Sequence, residues 1–143
     1  MLRDGVNMLT GSCLCGGVRY EAEGPATAIA RCHCVQCRKA SGAEFATNAS
    51  VPAESFRVVA GAELIGAFEW KPGQARHFCR GCGSPLFKRN VAAPEVVRVR
   101  LGTLDDASDL VRGPECHVFV SERPAWSEIC DDLPQFERLP VQP

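Results

Sequence analysis

Apolar and polar positions alternate along this chain in short runs, and the repeat is two far more often than 3.6. Across residues 17–22, Val18, Tyr20 and Ala22 share one face while Arg19 and Glu21 take the other, which predicts a half-buried strand. Shorter or less regular runs at 26–31, 44–51, 55–59, 63–70, 85–88, 96–101 and 117–120 predict further strands between turn signals. Helical spacing is weak throughout. The two best candidates are 35–40 and 125–130. The pattern therefore predicts a mainly β protein of short twisted strands, with glycine and proline spread evenly rather than gathered into a linker.

The length of 143 residues suits one domain, and 45% hydrophobic with 23% charged residues is ordinary for a globular chain. A formal charge of −1 gives no basic field for nucleic acid; Arg38-Lys39 is the longest basic cluster. No run approaches the roughly 20 apolar residues that a membrane helix needs, and MLRDGVNMLTGS lacks the apolar stretch of a secretory signal. A cytoplasmic protein is the expectation, with Met8 a candidate start and residues 1–10 expected to be poorly ordered. Nine cysteines in a reducing compartment point to metal ligands or reactive thiols, and an odd number cannot all pair within one chain.

Seven of the nine fall into three clusters. GSCLCGG places Cys13 and Cys15 two apart, so that both sulfurs of an extended segment face the same side. RCHCVQCRKASG places Cys32, Cys34 and Cys37 within six residues. FCRGCGSPLF carries Cys79 and Cys82 in a knuckle spacing, where Gly83 permits the positive φ at which the chain turns away. A redox dithiol would sit ahead of a helix, which Gly83 and Pro85 forbid. The knuckle needs two distant partners, either Cys13 and Cys15 or two members of the triple. Joining the doublets is the more economical pairing, and spacing does not decide between them.

With the doublets joined, four thiolates close a structural tetrahedron and three remain. Three protein ligands leave a position open to water or substrate, which is how catalytic zinc is built. Against this stand a closed site capped by His33, Cys116 or His117, and metal-free thiols open to oxidation. Cations flank both regions: Arg31, Arg38 and Lys39 beside the triple, and Arg76, His77 and Arg80 beside the knuckle. They would offset thiolate charge, or simply be solvated surface. His33, Arg38 and Ser41 are weak candidates for proton donation at the triple, and Arg38 or Lys39 for holding a substrate carboxylate. Cys116 and Cys130 read as buried small hydrophobes and His117 as a satisfied strand histidine. Trp126 is expected to pack the C-terminal segment onto the sheet. Asp105-Asp106 and Asp131-Asp132 read as turn and cap residues.

Taken in order, GSCLCGGVRYEAEGP, RCHCVQCRKASGAEFAT, RHFCRGCGSPLF, GTLDD and RPAWSEICDDLPQF resemble the glutathione-dependent formaldehyde-activating (Gfa) family, which includes the centromere protein V-like domains. The resemblance runs from about Gly11 to Phe136. It implies a single zinc-ribbon-related β-tent domain of small antiparallel sheets with zinc knuckles, over residues 11–143. It also implies a structural zinc on Cys13, Cys15, Cys79 and Cys82, and a second, exchangeable zinc on Cys32, Cys34 and Cys37. The implied activity is that of a carbon–sulfur lyase joining formaldehyde to glutathione as S-(hydroxymethyl)glutathione, with glutathione as partner of the second site. The alternatives are a non-catalytic zinc-binding scaffold, as in the centromere protein V branch, and a thiol redox sensor. The basic segment of that branch's animal members is missing from these 143 residues.

Overall fold

The computed structural model describes residues 7–106 and 109–140. In chain order the strands are β1 (Met8–Ser12), β2 (Arg19–Glu23), β3 (Thr27–Cys32), β4 (Ala46–Pro52), β5 (Arg57–Ala60), β6 (Ile65–Lys71), β7 (Gln74–Cys79), β8 (Pro85–Asn90), β9 (Val96–Arg100), β10 (Leu104–Asp106) and β11 (Cys116–Val118). One α-helix, α1 (Val35–Ser41), follows the triple-cysteine run. The protein is mainly β, as the period-two pattern predicts. Among the described residues no helix is long and apolar enough to cross a membrane.

The chain forms two compact units, one of residues 1–27 and 49–112, the other of residues 28–48 and 113–143. In the first, β10-β1-β2-β5 form an antiparallel sheet, and the later strands run in the order β4-β9-β8-β7-β6. Val18, Tyr20 and Ala22 point inward and are almost wholly buried, with Leu9, Phe56, Leu86, Phe87, Val97 and Val99. The Tyr20 ring lies 5.4 Å from Phe56, which meets Phe87 edge-on at 4.8 Å. The Tyr20 hydroxyl satisfies itself on Thr103 Oγ1 at 2.6 Å, and burial pushes its pKa up to about 12.

Three strands escape the sequence pattern, and packing explains why. In β1 the inward position after Leu9 is Gly11, because the Tyr20 ring fills the space a side chain would need. We expect Gly11→Ala to force its methyl into that ring and to lower stability by about 1–3 kcal/mol, the usual cost of overpacking. A urea melt with an unchanged midpoint would show the ring can give way. In β7 polar letters hide alternation: Arg76 lies over the Trp70 ring at 4.3 Å, and His77 stacks on Phe87 at 4.6 Å. β10 is only three residues long. β1 starts at Met8, inside the span of residues 1–10 for which poor order was expected, while residues 1–6 lie outside the described residues.

In the second unit the ladder order is β11-β3-β4. β11 runs parallel to β3, pairing Cys116 with Ala30, His117 with Arg31 and Val118 with Cys32. The strands thus form small antiparallel ladders together with the parallel β3–β11 pair. The predicted helix at 125–130 does not form. Ser127 closes a turn onto the Pro124 carbonyl, and the segment continues irregularly. Trp126 is 68% exposed, which removes its expected packing role, and Cys130 is exposed rather than buried.

Candidate metal centres

Each unit carries one cysteine cluster. In the first, Cys13 and Cys15 leave the end of β1 in a tight turn, with the Gly16 N–H on the Cys13 carbonyl at 3.0 Å. Cys79 ends β7, where the Gly83 N–H donates to its carbonyl at 2.7 Å and Gly83 adopts the expected φ of 80°. The sulfurs of Cys13, Cys15, Cys79 and Cys82 all lie within 4.8 Å of one another. Cys13–Cys15 is 3.5 Å and Cys15–Cys79 is 3.9 Å. Zinc–sulfur bonds of about 2.3 Å in a tetrahedron require edges of roughly 3.8 Å, so this donor set fits such an ion. Of the pairings left open by spacing, the structure brings the two doublets together.

Backbone dipoles aim at these sulfurs. The Val18 N–H donates to Cys13 Sγ at 3.2 Å and the Gly81 N–H to Cys79 Sγ at 3.3 Å. The Ser84 hydroxyl, 3.3 Å from Cys82 Sγ, together with the Ser84 N–H pulls the Cys82 pKa down to about 5. Cys15 is favoured as thiolate by the Gly17 N–H, but the crowding thiols of Cys13 and Cys82 carry it up to about 11. Cys82 is thus drawn toward the thiolate while Cys15 is held toward the thiol. A dication removes the conflict, because every thiolate then faces positive charge.

The cations expected beside the knuckle turn elsewhere. Arg80 donates to the Glu63 carbonyl and Arg76 covers Trp70. Burial, aided by Arg89, pushes the His77 pKa down and favours its neutral ring.

In the second unit Cys32 ends β3, Cys34 is the N-cap of α1, and Cys37 lies in its first turn. Cys34 Sγ accepts the Cys37 N–H at 3.3 Å, the role a serine or aspartate oxygen plays at other helix starts. All three thiols are buried, their sulfurs lie within 4.8 Å of one another, and Cys32–Cys34 is 3.4 Å. The thiols of Cys34 and Cys37, then burial, push the Cys32 pKa far up; Cys34 is eased by Cys32 but raised overall by Cys37 and burial. Crowding and burial thus hold Cys32 and Cys34 toward the thiol form, a bias that a cation would reverse, and three soft donors at this spacing fit a metal ion.

Strand alternation sorts the neighbours into two faces. Ala30, Cys32, Cys34, Cys37, Ala46 and Val118 form one cluster, joined by Cys116, Phe119 and Phe136. Arg31, His33 and His117 occupy the other face of the β3–β11 pair, around Phe45. His33 is therefore turned away from the sulfurs, which removes the reason for considering it as proton donor or cap. His117 has both nitrogens engaged: Nδ1 lies 2.8 Å from His33 Nε2, and Nε2 3.0 Å from the Asp131 carboxylate. Among the described residues no histidine, carboxylate or further cysteine joins the three thiols as a fourth donor.

Arg38 hangs by long 3.4 Å contacts on the carbonyls of His33 and Glu122, and Ser41 donates to the Cys37 carbonyl at 2.7 Å. Asp131 takes the expected turn, accepting the Leu133 N–H at 3.0 Å, and also binds Arg31 at 2.8 Å. The Leu133 N–H, His117 and Arg31 hold its pKa below the usual carboxylate range, against a smaller desolvation effect. The sequence analysis missed Glu122, whose carboxylate caps the Val35 N–H at 3.0 Å, and the joint role of His117 and Asp131. Only spatial proximity shows the latter, since His117 and Asp131 are 14 positions apart and the His33 that His117 meets is 84 positions away.

Fold and clusters together define a mainly β protein with one four-thiol and one three-thiol centre, each able to hold a metal ion. Residues 8–122 match the family described as glutathione-dependent formaldehyde-activating enzyme, and the chain belongs to that family. It is 38% identical over 131 residues to a Halomonas elongata protein named "Putative glutathione-dependent formaldehyde-activating enzyme", covering 85% of this chain and 81% of that one. A Rhodobacter sphaeroides protein of known crystal structure superposes with a TM-score of 0.57 at 29% identity, covering 73% of this chain and 97% of the other.

Proposed function

We propose that this protein is a zinc-dependent carbon–sulfur lyase that adds glutathione to formaldehyde, giving S-(hydroxymethyl)glutathione. In this reading Cys13, Cys15, Cys79 and Cys82 hold a structural zinc, and Cys32, Cys34 and Cys37 an exchangeable one. The family and the name of the Halomonas relative support the substrate pair. The observation that carries the catalytic assignment is the incomplete donor set of the second cluster among the described residues.

In the reaction the thiol sulfur bonds to the carbonyl carbon, the C=O π pair moves to oxygen, and the proton lost by sulfur ends on that oxygen. Zinc held by the three thiolates would supply a Lewis-acidic position that favours thiolate over thiol at neutral pH. The chain's own contribution is placement and shielding. β3 and the first turn of α1 hold three buried sulfurs on one face, while Ala30, Ala46 and Val118 keep that face apolar. Arg38, half-buried beside the helix start, is the candidate to meet a carboxylate of glutathione. Free clustered cysteines suit a reducing compartment, and we assign the protein to the cytoplasm on that ground.

The test pairs metal analysis with exchange spectroscopy on labelled formaldehyde and glutathione. The expected result is one ion at each of the two clusters, one of them released by mild chelation, with exchange accelerated only while that ion is bound. Full loading with no acceleration would defeat the proposal.

A further inference from the structure

The back face of the β3–β11 pair carries a hydrogen-bonded chain that the chemistry above does not use. Arg31 Nη1 donates to Asp131 at 2.8 Å, and the same carboxylate lies 3.0 Å from His117 Nε2. His117 Nδ1 lies 2.8 Å from His33 Nε2, and both imidazoles are almost wholly buried. His33 Nδ1 is buried with no hydrogen-bond partner among the described residues. Phe45 packs on both rings, 5.2 Å from His33 and 6.3 Å from His117.

A carboxylate only accepts, so His117 must carry its proton on Nε2. Its Nδ1 is then a lone pair, which requires the proton of His33 on Nε2. The reverse arrangement needs an imidazolium at His117 and leaves a buried N–H of His33 without an acceptor, the costlier orphan. The order is thus fixed from the half-exposed carboxylate inward.

We propose that Asp131, His117 and His33 are positioning residues for the three-thiol site. They form a tautomer-locked clamp that holds the Cys32-His33-Cys34 segment from behind. The inference rests on the reading that this cluster binds a metal. The segment is short and extended, and its two sulfurs lie on the face opposite His33. Fixing the His33 ring therefore fixes the twist of the backbone that aims Cys32 and Cys34. The main chain adds further ties here, the His33 N–H on the Val118 carbonyl and the Arg38 N–H on the Cys34 carbonyl, both at 3.0 Å. Groups behind metal ligands typically change affinity by about 10–100-fold when removed, by letting the ligands wander.

The experiment titrates cobalt(II) into the whole chain and follows the thiolate charge-transfer bands of the two centres. In Asp131→Ala we expect cobalt affinity at the three-thiol site to fall by about 10–100-fold. The four-thiol site, in the other unit, should keep its affinity, so that the loss is confined to the unit that carries Asp131. Asp131→Asn, which retains an oxygen to accept the His117 N–H, should recover most of the loss. Equal affinities in wild type and Asp131→Ala would overturn the clamp while leaving the proposed function standing. A wild-type chain that takes up cobalt at the four-thiol site alone would instead overturn the proposed function and the clamp with it. Imidazole nitrogen NMR of the wild type decides the chain independently of any variant's folding. Protons on Nε2 of both rings support the clamp, and a proton on His33 Nδ1 overturns it.

Discussion

Replacing Cys79 with serine is expected to unfold the unit that carries it and to leave the chain insoluble or melted at ordinary temperature. Cys79 is completely buried at the end of β7, and three further sulfurs converge on it from Cys13, Cys15 and Cys82. Structural zinc in small domains supplies about 10–16 kcal/mol of apparent binding energy, whereas a whole domain is stable by about 5–15 kcal/mol. If these four sulfurs hold such an ion, as proposed, weakening its hold endangers the whole net stability. Serine removes a soft sulfur donor from the four-thiol cluster and leaves a buried hydroxyl where the Gly81 N–H had a sulfur acceptor. The Cys13–Cys15 turn, 64 and more positions away in sequence, then loses its anchor. Far-UV circular dichroism and metal content measure the outcome. Cys130→Ser, at an exposed cysteine outside either cluster, is the matched control and should change neither. A Cys79→Ser chain that melts like wild type would show that the four-thiol centre is dispensable for folding.

The reading from sequence and the structure part company for physical reasons. The strand 19–23 was legible because Val18, Tyr20 and Ala22 alternate cleanly with charged neighbours. The cysteine clusters were legible because ligand spacing is a local property. β7 was not, since arginine and histidine there cover aromatic rings, and no one-dimensional pattern distinguishes that from solvation. Trp126 and Cys130 were assigned inward on residue type alone, and type is a weak guide where a C-terminal segment runs irregularly over the surface. The failure most relevant to function concerns His33. Position beside two ligands suggested chemistry, but alternation in an extended chain puts a residue between two inward sulfurs on the outward face. The same rule that paired Cys13 with Cys15 therefore also excluded His33.

Cys34→Ser is expected to remove activity while leaving the fold in place, which makes it the complement of the first variant. Cys34 has two duties: it lends a sulfur to the three-thiol cluster and caps α1 by accepting the Cys37 N–H. Serine performs the capping duty well, being among the preferred N-cap residues, so the seven-residue helix keeps its start. It performs the other duty poorly, because a hydroxyl is a hard, weakly acidic donor beside two thiols. The variant thus separates ligand chemistry from local structure in a way Cys37→Ser does not. Metal should fall from two loaded clusters to the four-thiol centre alone, with the thermal melt nearly unchanged. Lewis-acid contributions of several kcal/mol, at about 1.4 kcal/mol for each tenfold in rate, translate into a loss on the order of 10³-fold in the glutathione–formaldehyde exchange. Exchange kinetics of purified wild type and variant, each with its metal counted, measure that loss directly. Undiminished exchange in a Cys34→Ser chain holding metal only at the four-thiol centre would move the chemistry away from the triple altogether. The open coordination position, on which the catalytic assignment stands, would then have no part in it.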